Sequence, residues 1–417
     1  MKMLFVHQNY PGQFRESLPK LAATGKHEIV FLTQRQQLPK PGDHSILRYA
    51  PHHEAKDNAY IYTKLFENAC GSGVGAARAC NELKRRGFKP DMIIGHIGWG
   101  EMLFLKEVWP DVPNLGYFEY FFIPKGGAVG HDPEFPERGD ISALLHARNA
   151  INYLSYERCE AAWTASNWQK SVFPPLLQPK IQVLHEGIRT DLLQPDHDSA
   201  IEVEVDGTTF RRGDEIVTYI ARNLEPIRGV HTFMRSLPRL LHRRPKARVV
   251  IVGGDQTSYG PRLAEGKTYV SELKRELGKR VDWSRVHFLG QIPYPKLIGL
   301  MKISGCHVYL TVPFVVSWSL FEAMALEKPV VASDVLPVRD VIEDGRTGLL
   351  ADFFQPQALA EKIGDVLEKP ETFREMGRAA RRHVVDNYDF QQKCFPALVD
   401  FINNAMAPYG KRIDPVA

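Results

Sequence analysis

One stretch of the chain constrains its fold more than any other: an apolar run, a short turn, a helical pattern and a second apolar run. Residues 306–312 have the composition of a buried strand, a helix is expected to open near Ser317 to Ser319, and residues 329–333 form the next buried strand. Such a unit is typical of a parallel sheet, because parallel strands need a crossover connection. The helix start then lies at the carboxyl edge of the sheet, where its amides can bind an anion.

Glu322 lies one turn inside this expected helix. A carboxylate there can accept hydrogen bonds from two vicinal hydroxyls while the helix amides bind a diphosphate, and this combination suits a sugar nucleotide. The same pattern also describes an ordinary helix with a serine cap and a surface glutamate. Taken alone, the stretch favours the second interpretation.

Short apolar runs alternate with amphipathic helical patterns along the whole chain, with strands expected at 2–6, 28–32, 91–96 and 114–118 and a second series from 215–221 onward. This alternation predicts an α/β protein with two Rossmann-like domains, each a doubly wound parallel sheet, facing a cleft. The expected domains are 1–195 and 196–387. The boundary lies in a stretch, 190–214, that includes the polar run 196–199 and a short strand pair around Gly207. Residues 125–139, rich in glycine and proline, predict a long loop: a mobile lid or part of an acceptor wall.

Composition places the chain among ordinary globular proteins and excludes several classes. Its 417 residues suit two domains, and its net charge of +4 fits anionic substrates without requiring nucleic acid. Five scattered cysteines without a CxxC pair indicate neither a disulfide framework nor a zinc site. No apolar run approaches the roughly 18 residues of a membrane span, and the first apolar run is too short for a signal peptide, so we expect a cytoplasmic protein.

Six blocks in the second half resemble, in order, the motifs of a known family: IARNLEPIRG (220–229), IVGGD (251–255), FLGQ (288–291), EAMA (322–325), PVVAS (329–333) and VIEDGRTGLL (341–350). Over residues 183–352 the chain thus resembles the retaining nucleotide-sugar glycosyltransferases of the GT-B fold, in the large family 4-like group that includes sucrose, trehalose and mannosyl transferases. The first half is similar more loosely, through Gly12, the strand end at His96 and HEG (185–187). The resemblance also implies that a C-terminal helix, 388–408, packs back on the first domain, where Phe395 and Phe401 need a partner.

The resemblance implies a donor diphosphate site in the second half. Arg222 and Arg228, six residues apart across a turn, would stabilise the charge that develops on a departing nucleoside diphosphate, together with the helix start at Ser317, Trp318 and Ser319. The family has lysine at the second of these positions, and arginine keeps the charge. Arg228 could otherwise be a solvated surface cation. Gly12 would let the first loop approach the diphosphate, or is a plain turn glycine.

The resemblance also implies a nucleoside site. Glu322 matches the glutamate that binds ribose hydroxyls in the family, and Gly253 and Gln291 lie in the matching turn and loop. The family's other glutamate stands eight positions before Glu322, where this chain has Phe314. Because that glutamate acts mainly on donor-sugar hydroxyls, its replacement bears on the identity of the sugar and on turnover. The hydroxyls of Ser317 and Ser319 could take over sugar contacts.

Two candidate catalytic residues come from the first half. Glu119 follows the strand 114–118, where the family commonly has a histidine that contacts the donor sugar. A carboxylate there could accept a sugar hydroxyl or assist deprotonation of the acceptor, or it could be a solvated group at the cleft edge. His96, at the neighbouring strand end, could act near the acceptor at neutral pH, or could be satisfied by backbone groups.

The resemblance therefore implies a retaining, metal-independent glycosyltransferase that moves a hexose from a UDP- or GDP-linked sugar to a saccharide or lipid-linked acceptor. No metal or other cofactor is expected, because no Asp-x-Asp pair stands at an expected strand end. The alternative is a non-catalytic sugar-nucleotide or glycan-binding protein, motivated by Phe314, and a third interpretation is a sugar-nucleotide epimerase. Basic runs at 235–248 and 374–382 predict solvated helix faces, or peripheral contact with the inner membrane face if the acceptor is a lipid. The sequence predicts no nucleic-acid partner and no particular oligomeric state.

Overall fold

Alternating strands and helices build two parallel sheets, one from each half of the chain, as the sequence pattern predicts. The computed structural model describes residues 1–38, 42–136, 140–196, 202–205 and 207–414. The chain divides into a first unit, Met1–Lys125 with Glu137–Gly187 and Phe390–Ala417, and a second unit, Gly126–Pro136 with Ile188–Asp389. The segment 188–195, which the sequence places in the first domain, is grouped here with the second unit.

The strands of the first sheet are β1 (Lys2–Val6), β2 (Glu28–Thr33), β3 (Ser45–Arg48), β4 (Met92–His96), β5 (Asn114–Tyr117), β6 (Ala161–Thr164) and β7 (Ile181–Val183). The helices between them are α1 (Ser17–Ala22), α2 (Lys64–Arg85), α3 (Leu105–Val108), α4 (Ile141–Arg148), α5 (Ala150–Arg158) and α6 (Asn167–Ser171). The strand order is β3-β2-β1-β4-β5-β6-β7. All of its pairings in the described residues are parallel.

The register of this sheet brings the polar ends of three strands to one edge. In β1, Val6 lies opposite Leu32 of β2 and Gly95 of β4, while His96 of β4 lies opposite Tyr117 of β5. The inner strands β1, β2, β4, β5 and β6 are buried over nearly their whole length, as expected for a sheet covered on both faces. The residues that follow β1, β4 and β5 are therefore neighbours at the carboxyl edge.

In the second unit, β8 (Glu202–Val205) and β9 (Thr208–Arg211) form the antiparallel pair expected around Gly207. The strands of the second sheet are β10 (Ile216–Asn223), β11 (Arg248–Gly254), β12 (Val286–Phe288), β13 (Cys306–Tyr309), β14 (Val330–Ser333) and β15 (Leu349–Ala351). The helices of this unit are α7 (Val230–Arg243), α8 (Tyr269–Leu277), α9 (Tyr294–Ile303), α10 (Trp318–Ala325), α11 (Leu336–Arg339), α12 (Pro356–Glu368) and α13 (Pro370–Tyr388), while the last helix, α14 (Phe395–Met406), belongs to the first unit. The strand order is β12-β11-β10-β13-β14-β15.

The chain returns to the first unit at its C-terminal end. A π-helical turn, Phe390–Cys394, leads into α14, whose apolar residues join the core of the first sheet. The rings of Phe401 and Trp163 have centroids 5.4 Å apart, and Phe395 is buried in the same core. None of the helices in the described ranges combines the length and apolar character that crossing a bilayer requires.

Three local expectations differ from the structure. The edge strand β3 was not expected from the sequence, and the helix expected over 59–86 begins only at Lys64. The single helix expected over 141–157 is two helices, α4 and α5, that meet at Asn149. The buried amide of Asn149 exchanges two hydrogen bonds with the backbone of Phe122, at 2.9 and 2.8 Å, so a tertiary contact fixes the break.

The loop expected over 125–139 lacks helix and strand where the structure describes it, and residues 137–139 lie outside the described ranges. Its segment 126–136 is fastened to the second unit. Asp132 lies 2.9 Å from Nε2 of His231, and Arg235 donates to both carboxylate oxygens of Glu134, at 2.6 and 2.8 Å. The polar run expected over 196–199 is described only at Asp196.

Candidate functional site

The start of α10 is built by the turn that follows β13. Ser317 occupies the N-cap position with an extended backbone and makes no side-chain cap hydrogen bond within the described structure. Its backbone N–H donates instead to the hydroxyl of Tyr309, at 2.7 Å. Trp318 and Ser319 form the first turn, half-buried and buried respectively. A helix start without a side-chain cap presents its first amides to an anion.

Arg228 lies against this helix start. Its Nη1 donates to the carbonyl of Val315 at 2.9 Å and to Oγ1 of Thr311 at 3.1 Å. The hydroxyl of Tyr219 donates to the backbone carbonyl of Arg228 and fixes the main chain there. Gly229, next in the chain, has a φ of +69°, and a Cβ atom on it would lie 2.6 Å from Leu310. The half-buried guanidinium is therefore held beside α10.

Arg222 has different surroundings. It is exposed on β10, and its side chain makes no hydrogen bond or ion pair within the described part of the chain. The structure thus gives Arg228 contacts with the turn before α10 and gives Arg222 none. A shared diphosphate role for the two arginines stays a prediction.

Phe314 stands where the family has a glutamate, and it is 7% exposed. The guanidinium carbon of Arg228 lies 5.4 Å from the centroid of its ring, within range of a cation–π interaction. The ring of Tyr259 lies 5.1 Å away. An aromatic contact therefore supports the arginine where the family has a carboxylate.

Glu225, which the sequence did not single out, orders the loop that carries Tyr259. This buried carboxylate accepts hydrogen bonds at Oε2 from the backbone N–H groups of residues 258–260, at 3.0, 2.9 and 3.1 Å. Asn223 adds a hydrogen bond from its amide to Oγ of Ser258, at 2.6 Å. A charged residue between two apolar neighbours, Leu224 and Pro226, was the available signal.

The predicted nucleoside residues lie on neighbouring elements of the second unit. Glu322 is buried in α10, and its Oε1 accepts a hydrogen bond from the hydroxyl of Tyr294 at 2.9 Å. The N–H of Gly253 donates to the carbonyl of Gly290 at 2.9 Å, which joins the ends of β11 and β12. Gln291 follows directly and is exposed. Tyr294 is a residue that sequence reasoning missed.

His96 and Glu119 come together in the first unit. Nε2 of His96 lies 3.3 Å from Oε2 of Glu119. The histidine is 2% exposed, and its Nδ1 accepts a hydrogen bond from the N–H of Gly98 at 3.0 Å. One ring nitrogen is therefore satisfied by the backbone while the other faces the carboxylate. The expectation that backbone groups satisfy His96 thus applies to Nδ1, whereas Nε2 is the nitrogen that could act near the acceptor.

Further polar side chains surround this pair. Gln169 donates to the backbone carbonyl of Glu119 at 2.7 Å, and Tyr117 donates to the Glu186 carboxylate at 2.6 Å. Burial raises the pKa of the Tyr117 hydroxyl well above its usual value and lowers the pKa of His185. Both groups are therefore held in their neutral forms at neutral pH.

Gly12 lies beside His7. It has a φ of +56°, and a Cβ atom on it would lie 2.5 Å from the ring of His7. The absence of a side chain is required here by a packing contact inside the first unit. A close approach to the diphosphate stays a prediction.

One cluster in the second unit has the composition of a metal site. Asp132, Glu134 and His231 place potential ligand atoms within 4.8 Å of one another. However, both oxygens of Glu134 accept from Arg235, whose hydrogen bonds lower the pKa of that carboxyl. A guanidinium so close would repel a cation. The cluster is better explained as the contact that fastens the segment 126–136.

The basic run on α7 is paired with carboxylates. Arg235 contacts Glu134 and Glu276, and Arg244 contacts Glu215. Three carboxylates accept from Arg243, namely Glu361, Asp365 and Glu368. This pairing fits the solvated-face interpretation and leaves little unbalanced charge on α7 to attract an anionic lipid.

Two family models match the chain, one in each half. Residues 25–193 match the model described as "Glycosyl transferase family 4 group". Residues 203–383 match the model described as "Glycosyl transferases group 1". The two matches are consecutive, and together they include most of both units.

Two curated relatives each match part of the chain. The chain is 27% identical over 316 residues to a D-inositol 3-phosphate glycosyltransferase of Streptomyces scabiei, covering 69% of this chain and 61% of that protein. It is 25% identical over 256 residues to a GDP-mannose-dependent alpha-(1-6)-phosphatidylinositol monomannoside mannosyltransferase of Mycolicibacterium smegmatis, covering 60% of this chain and 64% of that protein. In both cases the match spans less than two thirds of the relative's own length.

A solved structure matches nearly the whole chain. HepE of Anabaena, in complex with UDP and glucose, aligns with a TM-score of 0.67 over 98% of this chain and 100% of that chain, at 17% identity. At this identity the likeness concerns the fold. It confirms the predicted GT-B architecture of two parallel-sheet α/β domains.

Proposed function

Because the chain belongs to the glycosyl transferases that these two family models describe and has the GT-B fold, we propose that it transfers a hexose from a nucleoside-diphosphate sugar to a hydroxyl group of an acceptor. The observation that carries the proposal is the contact of Arg228 with the turn before α10, one helical turn from Glu322. A cation, a set of helix amides and a carboxylate are then available for the diphosphate and the ribose.

We propose that the donor is UDP- or GDP-linked and that the acceptor is a saccharide or a lipid-linked glycan. Support comes from the neighbours: the HepE structure holds UDP and glucose, and one relative is named as GDP-mannose-dependent. The names of the two relatives mention D-inositol 3-phosphate and phosphatidylinositol monomannoside, a polyol phosphate and a glycolipid. A cytoplasmic location belongs to the same proposal, and so does contact with the inner membrane face if the acceptor is a lipid.

In the proposed reaction, the bond between the anomeric carbon and the β-phosphate oxygen breaks, and the acceptor oxygen bonds to the same face of the sugar with retention. Negative charge develops on the leaving diphosphate. Arg228 and the amides of Trp318 and Ser319 would stabilise this charge without a divalent cation. Glu119 would accept a hydrogen bond from a sugar hydroxyl or take up the acceptor proton, with His96 beside it.

Phe314 bears on which sugar is used. An aromatic ring offers no acceptor for a sugar hydroxyl, so we propose that the hydroxyls of Ser317 and Ser319 bind the donor sugar instead. If the protein binds nucleoside diphosphates tightly and turns over none of them, the non-catalytic alternative accounts for Phe314 better. Product analysis with a donor and no acceptor separates the epimerase interpretation.

The test is hydrolysis or transfer measured across a panel of UDP- and GDP-sugars, with wild type, Arg228→Leu and Arg374→Leu. Arg374 is exposed and pairs with Glu371 on α13, so its variant controls for the loss of one positive charge. We expect kcat/KM to fall about 100-fold in Arg228→Leu, as when a transition-state donor is removed. The control should retain wild-type turnover. Equal turnover in all three proteins would remove Arg228 from the donor site.

A further inference from the structure

A chain of hydrogen bonds runs along the carboxyl edge of the first sheet and ends at Glu119. It starts at His7, which follows β1, and passes through Gln13 in the 3-10 turn Gly12–Phe14 of the same connection. On the other side of Glu119 lies His96, at the end of β4. The rings of His7 and His96 have centroids 4.9 Å apart.

The backbone fixes the tautomer of His7. Its Nδ1 accepts a hydrogen bond from the N–H of Asn9 at 2.8 Å, so the neutral ring carries its proton on Nε2. Nε2 lies 2.6 Å from Oε1 of Gln13. The histidine therefore donates to the oxygen of the glutamine amide.

This contact in turn orients the amide of Gln13. With its oxygen facing His7, its NH₂ group faces Glu119 and donates to Oε1 at 2.7 Å. His96 is arranged in the same way, because Nδ1 accepts from the N–H of Gly98 and leaves Nε2 to donate to Oε2 of Glu119. Both oxygens of the carboxylate thus accept from neutral donors.

Gly12 makes room for this arrangement. A Cβ atom there would lie 2.5 Å from Cδ2 and from Nε2 of His7, the nitrogen that donates to Gln13. The backbone of Glu119 is fixed as well, by Gln169. Both the backbone carbonyl and the carboxylate of Glu119 therefore have hydrogen-bond partners.

We propose that His7 and Gln13 are positioning residues for Glu119, and this proposal rests on the proposed function. They fix the direction of its carboxylate and favour the ionised form, because hydrogen bonds donated to a carboxylate stabilise its charge. Glu119 then acts on substrate hydroxyls as an acceptor at neutral pH. His7 contributes by orienting the Gln13 amide and does not touch the substrate.

The direct test is the pKa of the Glu119 carboxyl, measured by ¹³C NMR on full-length protein labelled at the glutamate carboxyl carbon. The signal that disappears in Glu119→Gln assigns the resonance. In Gln13→Leu, which keeps a similar volume and removes the donor, we expect this pKa to rise by about one unit. In His7→Phe, which frees the amide to turn over, we expect a smaller rise in the same direction.

Gln8→Leu is the matched control. The Gln8 amide donates to Gln34 at 3.3 Å in the same unit, outside the hydrogen bonds that lead to Glu119. Its replacement should leave the Glu119 pKa at the wild-type value. A purely structural role for Gln13 would lower stability without moving this pKa, so melting temperatures are measured alongside.

The titration needs no substrate, so it separates this proposal from the proposed function. If Glu119 titrates identically in wild type, Gln13→Leu and His7→Phe, the positioning role is wrong whatever the activity. If the pKa rises as expected but the wild type uses no donor, the proposed function fails and the hydrogen-bond chain stands. If both hold, the acid limb of the kcat/KM profile should move upward by about one pH unit in Gln13→Leu.

Discussion

The guanidinium of Arg228 donates a hydrogen bond to the carbonyl of Val315 over 2.9 Å, two residues before the N-cap of α10. The contact joins the turn after β10 to the turn after β13, two strands that are neighbours in the second sheet. An arginine held in this way is oriented before any ligand arrives. Such preorganisation lowers the cost of ordering the side chain on binding.

Glu322→Gln is expected to weaken binding of UDP or GDP about 10- to 100-fold, because a charged acceptor for hydroxyl groups becomes a neutral one. The hydrogen bond from Tyr294 can persist in this variant, because the glutamine oxygen still accepts. Tyr294→Phe is the matched control and should have a smaller effect. Isothermal titration calorimetry measures both affinities. An unchanged affinity in Glu322→Gln would place the ribose elsewhere.

Gly12→Ala should destabilise the protein more than Gly25→Ala. Both glycines have a positive φ, +56° and +64°, so alanine carries a backbone cost of about 1–2 kcal/mol at either position. Only at Gly12 would the new Cβ also meet a side chain, the ring of His7, whereas nothing lies within 4 Å at Gly25. Urea unfolding monitored by circular dichroism measures how much each substitution lowers the free energy of unfolding. Equal losses would mean that the His7 ring moves aside freely.

His307 makes a testable contribution to acid stability. Burial lowers the pKa of this fully buried histidine to about 3, from an ordinary value of 6.5. Its Nδ1 lies 2.9 Å from the hydroxyl of Thr218. The unfolded chain takes up a proton below pH 6.5 and the folded chain does not. Stability from this group is therefore complete above pH 6.5 and is lost as the pH falls from 6.5 towards 3, by up to about 1.4 kcal/mol per pH unit.

The variant His307→Asn can keep a hydrogen bond to Thr218. It should remove the part of the pH dependence of the unfolding free energy that comes from His307. The measurement is the free energy of unfolding in urea at several pH values between 4 and 7. His242→Asn is the control, because His242 is exposed on α7. A slope that stays the same in His307→Asn would show that the folded protein admits the proton.

The order of elements could be predicted from the sequence because buried parallel strands are continuous apolar runs. β3 could not, since Ser45–Arg48 is a short edge strand with exposed ends and no apolar run. The break between α4 and α5 was hidden for another reason. It depends on the contact of Asn149 with Phe122, 27 residues away, which no local pattern reveals.

Sequence reasoning likewise found some residues of the candidate site and missed others. Arg228 and the start of α10 could be predicted because each lies in a compact block with recognisable spacing. Gln13 could not, since its partner Glu119 is 106 residues away in the chain. Tyr294 was missed because its hydrogen bond to Glu322 joins two helices, α9 and α10, and no local sequence pattern reveals such a contact. Arg222 lies in a recognisable motif, yet its side chain is exposed. A motif position alone therefore does not determine what a side chain contacts.

The most direct measurement of the donor site is a crystal structure of the protein grown with UDP or GDP. We predict density for the two phosphates at the start of α10, within hydrogen-bond distance of Arg228 and of the backbone amides of Trp318 and Ser319, with Glu322 on the ribose hydroxyls. Phosphates bound away from this helix, or an Arg228 side chain that turns to solvent in the complex, would contradict the account.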